Sequence, residues 1–303
     1  MENLRIGHSV WLVNTLLNYK KLKLREIDEL WRRHIELSGG MHFTRNNLYR
    51  AIEAARSQFG VIIECDLRDE YRYYIVDNQY KKATELLISS QAISQAAIGG
   101  NDQLRHRMLL DEVPSGLYHL STVVEAMRQS CVLEMTYQKF ADSEPYTCHI
   151  QPYCVKMHEQ RWYILGVKDH STRLQTFALD RIHQLIILPE EHFHYPEDFA
   201  PQSYFAYALG VYAGPDLVPE SIVLRVASFW RQYLVTLPLH ASQHEVERHA
   251  DYSLFSYTLA VTPDLVNRLL SFGPNIEVIA PLSLREQLSQ RVAEMYHLYQ
   301  KKP

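Results

Sequence analysis

The stretch Arg161-Trp162-Tyr163-Ile164-Leu165-Gly166-Val167-Lys168 constrains this chain more than any other. β-Branched and aromatic residues dominate it and no helical period fits, so it reads as a strand. Two-residue alternation puts Arg161, Tyr163, Leu165 and Val167 on one face, and Trp162, Ile164, Gly166 and Lys168 on the other. Asp169-His170-Ser171 supplies a polar turn, Arg173 to Leu179 returns as a second strand, and Asp180-Arg181-Ile182 follows. A lone hairpin is marginal in water, so a larger sheet or small barrel must form around this one.

The neighbouring sequence offers the missing strands. Cys131 to Lys139 alternates with period two, Tyr146 to Met157 does so with Pro152 marking an edge or a bulge, and Ile182 to Leu188 gives a fifth strand. Five short strands behind a helix from Leu117 to Arg128 fit a small barrel. Polar side chains on its open side are the candidate ligand groups: Tyr137, Lys139, His149, Gln151 and Tyr153, then Tyr163, Lys168, Arg173 and Arg181. Cations pair with phosphate and tyrosine rings stack, so such a set suits an anionic ligand bearing a base. Barrel packing is the competing role for each tyrosine, and an ion pair with Asp180 is the competing role for Arg181.

Residues 1 to 78 read as three helices and a hairpin. His8 to Tyr19 and Leu24 to Ile35 carry apolar residues at helical spacing. Ser38-Gly39-Gly40 breaks the chain. Thr44 caps a third helix that runs to Phe59, and Gly60 ends it. Leu48, Ile52, Ala55 and Phe59 form its apolar stripe, which leaves Asn46, Arg50 and Ser57 opposite and Asn47 and Tyr49 on the flanks. Arg can pair with guanine and Asn with adenine, so Arg45, Asn46, Asn47, Tyr49 and Arg50 suit a helix entering the major groove. Val61 to Asp66 and Tyr71 to Val76 are strands, and the loop between them offers Arg68 and Arg72 to a DNA backbone. Up to Phe59 there are ten basic and six acidic residues, a local net charge of +4 in a chain of −4. Such an excess binds phosphate, and it equally solvates a helical surface. A small helical docking domain is the alternative reading of this segment.

Residues 79 to 116 read as a helical connector, punctuated by Gly99-Gly100 and Pro114-Ser115-Gly116, that joins the two ends, forms a dimer or completes a core. After an irregular linker from Glu197 to Pro219, the chain repeats strand, helix, strand, strand, helix, strand between Ser221 and Ala280. That order suggests a ferredoxin-like α+β layer, and a final helix covers Leu282 to Tyr299. His192 and His194 alternate in what reads as a surface loop rather than a metal site.

The hydrophobic share is 47% and the charged share 22%, an ordinary globular balance. No apolar run reaches membrane-spanning length and the N-terminus lacks a signal-peptide pattern. The four cysteines form no C-x-x-C pair, so reduced thiols and a cytoplasmic setting are expected. No phosphate-binding glycine loop, dinucleotide fingerprint, H-E-x-x-H or nucleophile elbow occurs, which argues against an enzyme and against a cofactor.

Trp162-Tyr163-Ile164, together with Leu179-Asp180-Arg181-Ile182 downstream, resembles the WYL family of bacterial regulators, whose Trp-Tyr-Leu run and hydrophobic-Asp-Arg-Ile signature lie at similar spacing. Leu269-Leu270-Ser271-Phe272-Gly273 and Ile276 to Pro281 resemble the C-terminal extension domain that accompanies it. The resemblance implies a multidomain α+β chain: a winged helix-turn-helix at 1–78, the connector at 79–116, an Sm-like or SH3-like small β-barrel at 117–190, and the ferredoxin-like domain at 191–303. It implies a homodimeric transcriptional regulator that binds double-stranded DNA and senses a nucleotide or single-stranded nucleic-acid effector, with Tyr163 and Arg181 foremost in the effector site. Many members have Arg where this chain has Ala178, a departure at one expected ligand-facing cation. The alternative is an accessory module that binds nucleic acid or nucleotide and modulates a partner enzyme or defence system.

Overall fold

The computed structural model describes residues 2–76, 116–169 and 171–300. The chain divides into two units, residues 1–111 and 112–303. The connector read at 79–116 therefore lies outside the described residues apart from Gly116, as does the turn residue His170.

In the first unit, α1 (Glu2–Tyr19), β1 (Lys21–Leu22), α2 (Leu24–Arg33), the one-turn α3 (Ile35–Ser38) and α4 (Arg45–Phe59) precede a hairpin of β2 (Ile63–Asp66) and β3 (Arg72–Ile75). The α2 start is fixed by Glu26, whose carboxylate accepts the Lys23 backbone N–H at 2.8 Å. Thr44 Oγ1 accepts the Asn47 N–H at the head of α4, and Gly60 closes it in the left-handed region at φ 63°. Leu12, Val13, Leu16, Ile27, Trp31, Leu48, Ala51 and Ala55 make the core. On α4 the inward positions are Leu48, Ala51 and Ala55, with Ile52 only half-buried, so the stripe is turned slightly from the one read in the sequence. Trp31 stands edge-on to Trp11 and Phe43 at 4.9 and 5.2 Å between ring centres. The two-residue β1, too short to carry a period, adds a third strand by pairing with β3.

The second unit opens with α5 (Leu117–Gln129). A five-stranded antiparallel sheet follows: β4 (Cys131–Tyr137), β5 (Tyr146–His158), β6 (Arg161–Lys168), β7 (Leu174–Ala178) and β8 (Ile182–His192), in the order β7-β6-β5-β4-β8. A three-residue 3₁₀ turn, Leu179–Arg181, joins β7 to β8. Phe177, Leu179 and Ile182, from these two edges, share one core with Leu133, Met135, Ile150 and Ile164 and with Val123 and Ala126 of α5. Pro152 sits at a bulge in the central strand β5, where the register with β6 shifts. Gly166 pairs with Pro152 there, and a Cβ at 166 would stand 2.4 Å from the Gln151 carbonyl oxygen, so only glycine admits this approach. β8 runs to His192 rather than ending at Leu188, because Pro189 falls on an edge strand where its missing N–H costs no ladder bond. His192 is thereby placed at the end of a strand opposite Cys131, not in a loop.

The two faces expected of β6 are both covered at its centre: Ile164, Leu165, Gly166 and Val167 are all buried. Ile164 faces the core. On the outer face, Tyr153 stacks on Phe193 at 5.9 Å and meets Phe199 at 5.4 Å, while Lys156 Nζ lies 3.9 Å from the Phe205 ring centre. The segment after β8, which includes the one-turn α6 (Pro201–Tyr204), thus packs on the sheet.

β9 (Pro219–Ala227), α7 (Ser228–Thr236), β10 (His244–Arg248), β11 (Tyr252–Ala260), α8 (Pro263–Leu270) and β12 (Ile276–Ala280) follow the strand-helix-strand-strand-helix-strand order. Their antiparallel sheet runs β10-β11-β9-β12. Ile222, Leu224, Phe255, Tyr257 and Leu259 pack there with Leu234 of α7 and Leu265 and Leu269 of α8. A last helix, α9 (Leu282–Gln300), docks through Leu284, which is fully buried. Asp264, in the first turn of α8, accepts the Val211 and Tyr212 backbone N–H groups at 2.8 and 3.2 Å, tying the segment on β6 to this layer.

Cys131, Cys148 and Cys154 are buried and Cys65 is half-buried. Burial pushes the Cys148 and Cys154 thiols up to about 11. Iodoacetamide at pH 8 is expected to alkylate Cys65 first and the other three only on unfolding, as peptide mass spectrometry would report. Both thiols are neutral in the folded chain below about pH 9, so the stability they secure is lost as pH rises from about 9 through about 11.

Candidate functional site

Two surfaces carry the residues singled out in the sequence. The first is the outer face of α4. Arg45, Asn46, Tyr49 and Arg50 are exposed there and Asn47 is half-buried at the capped first turn. Arg45 Nε donates to the Tyr49 hydroxyl at 3.3 Å, and its guanidinium lies 5.7 Å from the Tyr49 ring centre. The face is polar, cationic and built on a rigid, well-capped helix.

The hairpin loop differs from expectation. Arg72 is committed to carboxylates, 3.4 Å from Glu26 and 3.5 Å from Asp69 and Glu70. Lys21 meets Asp66 and Asp69 at 3.0 and 3.3 Å, and Lys23 meets Glu70 at 2.5 Å. Arg72 is thus a member of an ion-pair network joining β1, α2 and the loop, not a free phosphate ligand. Four acids on the hairpin (Glu64, Asp66, Asp69, Glu70) outnumber its arginines, a balance that position alone did not convey. Arg68 stays exposed.

The second set of residues is divided among five places. Around the 3₁₀ turn, Arg161 Nη1 lies 3.5 Å from Asp180 Oδ2, and the Asp180 side chain is only 8% exposed. Tyr163, half-buried, lies opposite Ala178 on β7 and Lys156 on β5, and burial raises its hydroxyl pKa. Arg181 lies face-on to Phe140 at 3.6 Å. Asp180 Oδ1 and Arg181 Nε are buried without a hydrogen-bond partner, an acceptor and a donor on consecutive residues. Ala178 is itself buried and gives its N–H to the Tyr137 hydroxyl at 3.3 Å. Tyr137 is therefore a core residue, 3% exposed, rather than part of an open face.

At the end of β6, Lys168 and Lys139 lie 4.6 and 5.7 Å from the Tyr146 ring centre, and burial pushes the Tyr146 hydroxyl up to about 12. His149 is elsewhere, its ring nitrogens 3.8 Å from Glu134 and 3.7 Å from Glu191. That acidic setting removes it from an anion-binding set. Tyr153 belongs to the outer aromatic cluster, and Arg173 is exposed in the turn before β7. Tyr163 and Arg181 thus meet around one turn, Lys139 and Lys168 meet around Tyr146, Tyr137 and Tyr153 serve the packing, and His149 stands between two glutamates. Phe140, Tyr146 and Lys156 were missed, because loop position and bulge geometry, not spacing, bring them in. Among the described residues no group of three His, Cys, Asp or Glu is arranged to hold a metal, and no helix is long and apolar enough to cross a membrane.

Comparison with protein-family models matches the WYL domain over residues 118–187 and the WCX domain over residues 219–296. The chain carries a WYL domain followed by a WCX domain. Both arrays just described, around Asp180-Arg181 and around Tyr146, fall inside its WYL domain, and α9 falls almost wholly inside its WCX domain. Among solved structures it is similar to proteasome accessory factor B/C (PafBC) of Arthrobacter aurescens, with 18% identity and a TM-score of 0.34 over 96% of this chain and 46% of that one. A CRISPR Cas-related protein matches at 10% identity and a TM-score of 0.27, over 61% of this chain and 52% of that one. The WYL-domain chain spans about half the length of each. No curated protein matches it.

Among the described residues, Arg161 is the ion-pair partner of the nearly buried Asp180. Arg161→Ala is expected to lower stability by about 1–3 kcal/mol, since it strands a buried carboxylate. Asp180→Asn in the same background should recover part of the loss, as urea unfolding would show.

Proposed function

We propose that this WYL-domain protein is a ligand-responsive, DNA-binding transcriptional regulator acting in the cytoplasm as a homodimer. The carrying observation is the outer face of α4, where Arg45, Asn46, Tyr49 and Arg50 project from a helix held by a Trp-centred core. Three long helices, a three-stranded antiparallel sheet and this projecting face support reading residues 1–78 as a winged helix-turn-helix, with α4 as the recognition helix. The acid-tied hairpin makes α4, not the wing, the principal DNA contact.

The curled five-stranded sheet supports an Sm-like or SH3-like sensor barrel, and the β10-β11-β9-β12 order supports a ferredoxin-like extension. In the sensor, Tyr163, Arg181 and the Lys139–Tyr146–Lys168 group offer cations beside aromatic faces, suited to a nucleotide or a single-stranded nucleic acid. The unpartnered Asp180 Oδ1 and Arg181 Nε add an acceptor and a donor that a ligand or water would satisfy. An effector bound more tightly by one arrangement of the dimer shifts the population toward it and changes the fit to a two-fold DNA site.

Footprinting on the protein's own upstream DNA tests the first half. Arg50→Ala and Asn46→Ala are each expected to cost about 1–3 kcal/mol of specific binding in a folded protein, and Arg72→Ala to change DNA affinity little. Unchanged footprints for both α4 variants would remove the recognition-helix role. For the second half, Arg181→Ala is expected to abolish the response of that footprint to a short single-stranded DNA oligonucleotide while sparing binding in its absence. Loss of basal binding with the response retained would reverse the roles of the two units.

A further inference from the structure

Asp28 of α2 pins the turn that leads into α4. Its Oδ1 accepts the Phe43 backbone N–H at 2.7 Å, and its Oδ2 lies 2.9 Å from His42 Nδ1. The Phe43 ring, buried in the tryptophan core, holds the same turn from behind, 5.2 Å from Trp31 between ring centres. His42 is thereby fixed two residues ahead of Thr44, the cap of α4, yet its side chain is 71% exposed. Core packing does not account for a histidine held this firmly in the open.

The partner settles which ring nitrogen carries hydrogen. Burial works to raise the Asp28 carboxyl pKa, but the hydrogen bonds from His42 and the Phe43 N–H, with the charges of His42 and Arg32, outweigh it and hold the group ionised. An ionised carboxylate only accepts, so His42 Nδ1 carries the hydrogen shared with Asp28. Nε2 is then a bare lone pair in the neutral ring and an N–H donor only in the imidazolium. Charge runs the same way. Arg32 Nε, 3.4 Å from Asp28 Oδ2, already offsets the carboxylate, so the Arg32–Asp28–His42 group is neutral with a neutral ring and positive with a protonated one. Among the described residues, Asp28 and, across it, Arg32 are the charged groups facing this ring. The other nearby imidazole, His8 of α1, stands against the Phe43 ring at 5.6 Å, and burial lowers its pKa.

We infer that His42 is a phosphate contact of the DNA-bound protein and binds as the imidazolium, so that the ring takes up a proton as α4 enters the duplex. The inference rests on α4 being the recognition helix and gives a role to a residue outside the helix itself. A helix in the major groove lies between two phosphate backbones about 12 Å apart, and side chains at its entry meet phosphates, which position the protein, rather than base edges. The imidazolium Nε2–H gains a charge-assisted hydrogen bond there, whereas the neutral ring would turn a lone pair toward phosphate oxygens.

Fluorescence anisotropy of the full chain on its own upstream duplex and on a random-sequence duplex, from about pH 6 to about pH 8, tests this. Wild-type affinity for both duplexes is expected to rise as pH falls. His42→Gln keeps an amide donor but cannot take up a proton. It is expected to bind both duplexes about tenfold more weakly than wild type at the acid end and within about twofold at the alkaline end. Its salt slope at the acid end should be shallower by about one per bound ring. His42→Arg, a permanent cation, should bind at the alkaline end as tightly as wild type does at the acid end. Circular dichroism checks that both variants stay folded, as expected for an exposed ring. A His42→Gln protein that keeps the wild-type pH dependence and salt slope would overturn the inference and leave the role of α4 standing. A pH dependence lost in His42→Gln without tight binding by His42→Arg would overturn the phosphate contact, because the ring would then act only on the turn. A wild-type chain that binds neither duplex at any pH would overturn the inference together with the recognition-helix reading.

Discussion

Burial of β6 from two sides is the constraint on which the second unit depends. A strand of a small antiparallel sheet ordinarily buries one face and wets the other. Here Ile164 enters the core and Leu165 on the other face is buried as well, while the aromatic segment after β8 packs on Tyr153 and Lys156 of the neighbouring strand β5. The hydrophobic gain from covering a second face is what fixes residues 193–212 against the sheet, and through Asp264 it fixes the α/β layer that follows. The Trp-Tyr-Ile motif is therefore first a packing element. Its chemistry is confined to the strand's two ends, where Arg161 and Tyr163 approach the 3₁₀ turn and Lys168 approaches Tyr146.

Charge is used in two distinct ways. Around the N-terminal hairpin, Lys21, Lys23 and Arg72 each have a carboxylate within ion-pair distance, and such groups stabilise local geometry modestly while offering little to an external anion. On α4, around Arg181, and at Lys139 beside Tyr146, cations lie against aromatic rings, where the ring supplies attraction without neutralising the charge, whereas Lys168 on the same ring also has Asp169 at 3.9 Å. The second arrangement leaves a positive group able to meet a phosphate. Net charge conceals the difference, since a chain of −4 holds both.

Much of the local structure was legible in the residues. Thr44 and Gly60 bound α4 because a hydroxyl that accepts an early N–H and a residue tolerant of positive φ are needed at those places. Pro152 announced the bulge in β5, and the order of elements from Ser221 to Ala280 followed from hydrophobic period and turn residues. The candidate effector set was less legible. Alternation locates a side chain on a face, but a bulge reverses the alternation beyond it, and Lys156 changes face in this way. Tyr137 and His149 both read as open-side groups, yet one is sealed by Phe177 and Ala178 and the other stands between two glutamates. Pro189 reads as the end of a strand because the sequence does not say that β8 is an edge.

Sequence by itself determined most of the described elements and their order, the cap and glycine positions and the WYL motif, because these depend on contacts within a few residues and on short motifs. Tertiary structure alone decided which cations remain free, which tyrosines are core, that Asp180 and Arg181 each keep a buried polar atom without a partner, and that α9 leaves its apolar face uncovered. These are questions of what lies opposite a side chain across the fold. The answer is set by strand order and by packing between residues far apart in the chain, which no local pattern encodes.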